Sequence, residues 1–287
     1  MLKALCVVLT VCILICLWIV LYDTHHFVIK KYAFQSAKIK KNTRIVMLSD
    51  LHNCRYGEDN ALLFEKITEQ NPDLILLAGD MITASNREKM QHTFRFLKKL
   101  CETYPVYYTY GNHEQKILQN REYQKAADNF EKEKESAGIR IFNNEHCFLK
   151  DRGISLYGLL LDHSYFQRFT TKDMPEEYMD ALLGKPDPDT YCVLLAHNPD
   201  YFPEYAKWGA DLVLSGHIHG GIIRFPFLGG FISPAVRFFP KYDGGLFREN
   251  NASMVLGRGI GTHAPKVRLF NPGELVVVDL LTEGNKQ

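Results

Sequence analysis

Five short apolar runs in this chain each stop on residues that can bind a metal ion. Residues 44–48 run into Asp50-Leu51-His52, 73–78 into Gly79-Asp80, and 106–110 into Gly111-Asn112-His113-Glu114. Residues 191–195 run into Ala196-His197-Asn198, and 212–214 into Gly216-His217-Ile218-His219. Runs this short and this apolar read as buried strands. Between them, 60–69, 87–100 and 114–136 carry helical patterning, and further strands fall at 154–157, 253–256 and 275–279. Strands alternating with helices across short connections predict an α/β fold with helices outside the sheet. In such folds ligands gather in the crevice beyond the strand carboxyl ends, which is where these residues lie.

The residue types narrow the chemistry. Of 11 histidines, His52, His113, His197, His217 and His219 occupy the strand-end junctions. His92, His146, His163 and His263 read as surface or packing residues, and His25 and His26 as interfacial ones. Asp50-x-His52 in an extended segment would send both side chains to one side, because side-chain direction there has period two. His217-x-His219 could do the same, or a turn between them could aim them at two neighbouring ions. Glycines 79, 111 and 216 allow a sharp turn and a close approach of backbone to ion. Carboxylate, imidazole and amide ligands without thiolate suit Mn²⁺, Fe or Zn²⁺ in a working site rather than a structural zinc knot. Burying so many polar groups merely to pair with one another would be costly without a cation. The seven cysteines show neither metal-like nor disulfide-framework spacing and read as small packing residues.

Residues 4–22 form an uncharged apolar run, which as a helix extends about 28 Å, close to the hydrocarbon thickness of a bilayer. A signal peptide would end in a small-x-small cleavage site, whereas this run ends in Trp18-Ile19-Val20-Leu21-Tyr22. A buried core helix would be shorter and show a polar face. The reading is an uncleaved single-pass anchor over 1–23, a basic juxtamembrane linker over 24–42, and one catalytic domain over 43–287. Lys30, Lys31, Lys38, Lys40, Lys41 and Arg44 follow the span and only Lys3 precedes it, which favours a cell-membrane protein with its domain on the cytoplasmic side.

Residues 220–240 have another texture, with glycines, prolines and aromatics and little periodicity. An apolar hairpin packed on the core, a lid, and a surface patch dipping toward lipid all suit it. The 287 residues carry 34 Lys and Arg against 33 Asp and Glu. A net charge of +1 supplies no global basic field for nucleic acid, and none is expected as a partner.

Asp-x-His, Gly-Asp, Gly-Asn-His-Glu, a later His and Gly-His-x-His, in this order, resemble the calcineurin-like metallophosphoesterases. Residues 219–226, then 241–245 and 257–261, are further similar to the YkuE-like, membrane-tethered bacterial branch, although no twin-arginine export signal is present. The resemblance spans about 43–281. It implies a four-layer αββα sandwich, two mixed sheets flanked by helices, behind the N-terminal transmembrane helix. It also implies two divalent metal ions, Mn²⁺ first and Fe or Zn²⁺ as alternatives. Asp50, His52 and His219 would hold one ion, Asn112, His197 and His217 the other, and Asp80 would bridge them. His113 would contact the phosphate and protonate the leaving oxygen. Glu114 would orient His113 or cap the helix that follows. Arg224, Tyr242 and Arg258 lie in the segments that match the tethered branch and are candidates for substrate contact.

The function implied is hydrolysis of a phosphodiester, pyrophosphate or phosphomonoester by a water acidified between two ions about 3.5–4 Å apart. The anchor suggests an amphiphilic substrate, such as a glycolipid pyrophosphate of the UDP-diacylglucosamine type. The alternatives are a phosphohydrolase of soluble nucleotides and a catalytically weak membrane adaptor. An adaptor would tolerate loss of a ligand, and none is missing. A nuclease would carry a basic and aromatic groove, which the sequence lacks.

Overall fold

Residues with side chains buried on both faces of a strand need apolar layers on both sides, and the chain supplies them. The computed structural model describes residues 1–85, 87–167, 171–221, 223–225, 229–232, 238–262 and 267–284. One sheet contains β1 (Phe27–Ser36), β2 (Thr43–Leu48), β3 (Leu74–Ala78), β4 (Val106–Thr109) and β13 (Gly273–Thr282), in the order β1-β13-β2-β3-β4. The other contains β5 (Glu145–Leu149), β6 (Ile154–Leu159), β7 (Tyr191–Ala196), β8 (Leu212–Ser215), β11 (Gly245–Glu249) and β12 (Ala252–Leu256), in the order β11-β12-β8-β7-β6-β5. Both are mixed: β13 runs antiparallel to β2 while β2, β3 and β4 are parallel, and β5 and β11 are antiparallel edges on a parallel centre. A separate hairpin pairs β9 (Ile223–Phe225) with β10 (Gly229–Ile232).

Three apolar layers make the sandwich. Ile45 and Met47 of β2 face the second sheet, meeting Leu156, Val193, Leu195 and Leu214. Val46 and Leu48, the alternate residues, face outward onto α2 (Ala61–Thr68), α3 (Arg87–Thr103) and α5 (Gln124–Ala137). The outer face of the second sheet, with Leu194, Val213 and Met254, is covered by α6 (Tyr178–Leu183) and α7 (Phe202–Trp208). Helix, sheet, sheet and helix are thus four layers, and each fully buried Leu, Ile or Val contributes about 1.5–3 kcal/mol. The expected αββα sandwich is the fold observed.

Two segments differ from the sequence reading. The stretch expected as a linker over 24–42 contains β1, which pairs in parallel with β13 from Phe27–Gly273 to Ser36–Thr282. Its alternating half-exposed pattern is that of an edge strand, and lysines on an edge discourage pairing with other chains. The helix expected over 114–136 is two helices, α4 (Asn112–Gln119) and α5. Asn120 leaves the helical region and its side chain accepts the Glu122 N–H, a role short amides fill well.

The N-terminus is α1 (Leu2–His25), 24 residues and about 36 Å long, the one helix among the described residues long and apolar enough to cross a membrane. It runs directly into β1, and Asp23 at its end is buried, accepting the Asn271 backbone N–H at 2.8 Å.

Candidate metal centre

The candidate ligands do converge, by a backbone route the strand pleat does not predict. Asp50, His52, Asp80, His217 and His219 all have positive φ, between 49° and 77°. The chain leaves β2, β3 and β8 through left-handed turns, and Asp, Asn and His are among the side-chain-bearing residues that tolerate this region best. The Asp50 and His52 side chains meet through these turns rather than through extended alternation. Gly79, at φ +81°, begins the Asp80 turn. A Cβ at Gly111 would lie 2.2 Å from Asp80 Oδ1, so only glycine lets β4's exit pass the carboxylate.

Two groups of ligand atoms form, each spanning no more than 4.8 Å: Asp50, His52 and His219, and Asp80, His197 and His217. The turn between His217 and His219 therefore sends them to different groups. A third grouping, His52, Asp80 and His113, joins the first two. Asp80 Oδ2 lies 3.2 Å from His197 Nε2 and 4.0 Å from His52 Nε2, the position expected of a carboxylate shared by two ions. His52 and His219 bring their Nε2 atoms to 2.9 Å. Two nitrogens about 2.1 Å from one cation and near a right angle apart would stand about 3 Å from each other, so the spacing fits a shared ion.

The surrounding hydrogen bonds aim these groups. His197 Nδ1 lies 2.6 Å from the Ala78 carbonyl, which can only accept, so Nδ1 carries a proton and Nε2 is turned toward the centre. Asp50 accepts the His217 N–H at 3.1 Å, and Asp80 Oδ1 accepts the His113 N–H at 2.8 Å. Asn112 Oδ1 is buried without a hydrogen-bond partner among the described residues. A cation is the partner such an oxygen lacks, and the donor set of carboxylate, imidazole and amide fits divalent ions.

The electrostatics point the same way. Burial opposes a charge on His197, yet Asp80 and Asp50 outweigh it and raise its pKa to about 10. Burial pushes Asp50 up to about 6 despite the opposing His197 charge. Burial also works against the Asp80 charge, but His197, His113 and His52 hold that carboxyl well below its usual range. Both carboxylates thus favour positive charge at the centre, which is what a cation site requires.

Glu114 is fully buried and organises the turns. Its Oε2 accepts the N–H of Asp80 and of Gly111, and its Oε1 accepts the Ile82 N–H and the Tyr108 hydroxyl, all at 2.6–2.9 Å. It therefore caps α4 and pins the Asp80 turn; its bonds go to these groups rather than to the His113 ring. Asn112 and His113 open α4 rather than forming an extended pair, and the His113 ring stands edge-on to His52 with centroids 4.8 Å apart. His113 shares a cleft of about 600 Å³ with His52, Asn53, Arg55 and Lys89, and Thr24 and His25 at the end of α1 form part of its wall.

The three substrate candidates lie elsewhere. Tyr242 is buried beneath the second sheet, packed edge-to-face against Phe202 and Phe247 as part of the core there. Arg224 pairs with Asp243 at 3.0 Å and Arg258 with Glu274 at 2.5 Å. Both line a separate pocket of about 780 Å³ beside Trp18, Tyr22 and Asp23. His92 is bonded to Asp59 and His146 stacks on Tyr157, as expected of packing residues, and His263 and Pro226 lie outside the described residues.

The sequence reading did not find Arg268 or Asn271. Buried Arg268 donates to the carbonyls of Arg258, Gly259, Gly261 and Asn271. Asn271 Nδ2 donates to the carbonyls of His219 at 2.7 Å and Gly221 at 2.6 Å. Their partners are backbone carbonyls, within ten residues for Arg268 and about fifty residues back for Asn271, which no local motif marks.

A two-sheet sandwich with paired carboxylate and imidazole clusters at its strand ends defines a dinuclear metallohydrolase. The chain belongs to the calcineurin-like phosphoesterase family, whose model matches residues 43–221. It is 27% identical over 272 residues to an uncharacterized metallophosphoesterase of Aquifex aeolicus, covering 92% of this chain and 95% of that one. It is 27% identical over 251 residues to the metallophosphoesterase YkuE of Bacillus subtilis, covering 83% and 78%. It is 26% identical over 228 residues to the phosphodiesterase YaeI of Escherichia coli, covering 76% and 75%. A longer relative from Campylobacter jejuni is spanned over 63% of its length. The protein is a metal-dependent phosphoester hydrolase with a dinuclear divalent site.

Proposed function

We propose that the chain is a membrane-anchored phosphodiesterase or pyrophosphatase acting on a lipid-linked phosphoester, of which a UDP-diacylglucosamine-type glycolipid is one form. The observation that carries this reading is the cleft itself. His52 and His113 share it with Thr24 and His25, so the catalytic groups stand where α1 would leave a bilayer. A substrate held in a membrane by its acyl chains presents its phosphate at that level. The phosphodiesterase activity in the name of the Escherichia coli relative supports a diester as the bond cleaved. The lysines following α1 support a cytoplasmic domain.

In this mechanism Asp50, His52 and His219 would hold one ion, Asn112, His197 and His217 would hold the other, and Asp80 would serve both. Mn²⁺ is the preferred metal, with Fe or Zn²⁺ as alternatives. When bound, the two ions supply Lewis acidity to a phosphoryl oxygen and to the attacking water. His113 stands beside this centre and gives a proton to the leaving oxygen. Arg55 and Lys89 add positive charge to the cleft wall.

The test is hydrolysis by the metal-stripped full chain in vesicles, resupplied with Mn²⁺, Fe²⁺, Zn²⁺ or Mg²⁺. Bis-p-nitrophenyl phosphate, a soluble nucleotide diester and a UDP-linked diacyl sugar are compared. Metal-dependent turnover with preference for the lipid supports the proposal. Preference for the soluble nucleotide would assign the alternative substrate class, and loss of metal without loss of activity in Asp80→Asn or His217→Ala would sink the site assignment.

A further inference from the structure

Setting Met1 and α1 aside, nine large apolar side chains are exposed among the described residues, and five of them belong to the β9–β10 region and the neighbouring 267–270 segment: Phe225, Phe238, Phe239, Val267 and Phe270. Phe238 and Phe239 are each 62% exposed, too much to be core residues reaching the surface by chance of packing. They are also organised. The Phe231 ring meets Phe225, Phe238 and Phe239 edge-to-face, with centroids 5.2–5.6 Å apart. A contiguous apolar patch of this kind on an otherwise polar domain marks an interaction surface.

Its position selects the partner. The pocket of about 780 Å³ has Trp18, Ile19 and Tyr22 of α1 on one wall and Phe225, Phe270 and Pro272 on another. In a crossing helix, Trp and Tyr near one end mark the headgroup level of the bilayer. The patch therefore begins at the depth of Trp18 and Tyr22. The helix end is fixed against this part of the domain. Asp23 holds the Asn271 N–H, next to Phe270, and β1 starts two residues after α1 to pair with β13. The hairpin is joined to the same segment, because Ile223 bridges to Leu269 and the Arg224 N–H donates to the Leu269 carbonyl.

We propose that the aromatic patch of Phe225, Phe231, Phe238, Phe239 and Phe270 is a second membrane-contact surface, seated in the headgroup region of the same bilayer that α1 crosses. It rests on the anchor reading proposed above. The rings contribute apolar area at the interface, and the Arg224–Asp243 ion pair leaves no unpaired charge of theirs to desolvate. Because β9 begins four residues after His219, this contact also sets the orientation of the metal centre to the lipid. A helix alone leaves the domain free to rotate about the membrane normal and to tilt; a second contact removes the tilt and holds the cleft toward the headgroups.

The full chain, with Phe239→Trp or separately Phe238→Trp, is placed in phosphatidylcholine vesicles whose acyl chains carry bromine at shallow or deep positions. The parent already reports two tryptophans, Trp18 at the helix end and Trp208 on the far side of the second sheet. The expected result is that the added emission is quenched, more by shallow than by deep bromine, as Trp18 is. Added emission that escapes quenching while Trp18 is quenched would overturn the proposal with the anchor intact. If that unquenched emission shifted with the protein-to-lipid ratio, the patch would belong to a contact between copies. Failure of Trp18 itself to be quenched would remove the anchor reading and the patch with it.

Discussion

Glu114 Oε2 accepts the backbone N–H of Asp80 at 2.9 Å, so the carboxylate set to bridge the two ligand groups is itself positioned by a second, fully buried carboxylate. Burial, with Asp80 as the next contributor, pushes the Glu114 pKa up to about 7. Four donors converge on its two oxygens. Glu114→Gln places an amide N–H₂ where at least one of these donors expects an acceptor. The expected outcome is a loss of about 1–3 kcal/mol of stability. Weaker metal binding should accompany it, because Asp80 loses its anchor. Denaturant unfolding and metal titration read both; a variant with unchanged metal affinity would remove the positioning role.

His113→Ala separates proton transfer from metal binding. The His113 ring neighbours His52 and Asp80, while its backbone N–H holds Asp80 Oδ1, and that bond survives the substitution. Both ions should remain bound while turnover falls by about 10²–10⁴. The loss should be smallest for leaving groups of low pKa, which need no proton. Equal losses for nitrophenolate and alkoxide leaving groups would argue against His113 as the acid.

Much of this site was legible because each candidate ligand directly follows a buried strand. Asp50, Asp80, His197 and His217 announce themselves by ending an apolar run. The reason they converge was not legible: five of the seven sit in left-handed turns, which a period-two reading does not contain. The sandwich followed from the family resemblance, and the alternation alone indicated only an α/β sheet. β1 escaped notice because an edge strand with lysines at positions 30 and 31 has the composition of a linker. The burial of Tyr242 was not legible because a motif position says nothing about which face of a loop enters the core. Arg268 and Asn271 bind carbonyls, and carbonyls are the same at every residue.

Asn271→Ala tests whether the anchor and the centre are mechanically joined. The side chain donates to the carbonyls of His219 and Gly221, and the backbone N–H to Asp23 of α1. Truncation leaves two buried carbonyls without that donor, for about 1–3 kcal/mol of lost stability. It also frees the turn that aims His219. The expected outcome is a chain that keeps one ion firmly, in the Asp80, His197 and His217 group, and holds the second weakly. Metal content after dialysis against a mild chelator gives the count; two ions retained equally would contradict the link.

Gly79 combines a left-handed backbone with close neighbours on two other strand ends. At φ +81°, an alanine there would cost roughly 1–2 kcal/mol in backbone strain alone. Its Cβ would also stand 2.6 Å from the Gly111 nitrogen and 2.6 Å from His197 Nδ1. The first neighbour is backbone and cannot rotate aside, and the second is locked to the Ala78 carbonyl. Relief therefore requires moving the Gly111 turn, which carries Asn112 and His113, or breaking the bond that directs His197 Nε2 inward. Either movement separates groups that must meet at one ion. Gly79→Ala should therefore fold less stably and bind metal in the Asp80, His197 and His217 group much more weakly than the parent. His92→Ala, in α3 and bonded to Asp59 away from the centre, should leave metal affinity unchanged. Metal affinity that survives Gly79→Ala would mean that the turn can relax without disturbing the ligands, and that the close approach of the two strand ends is not what assembles the centre.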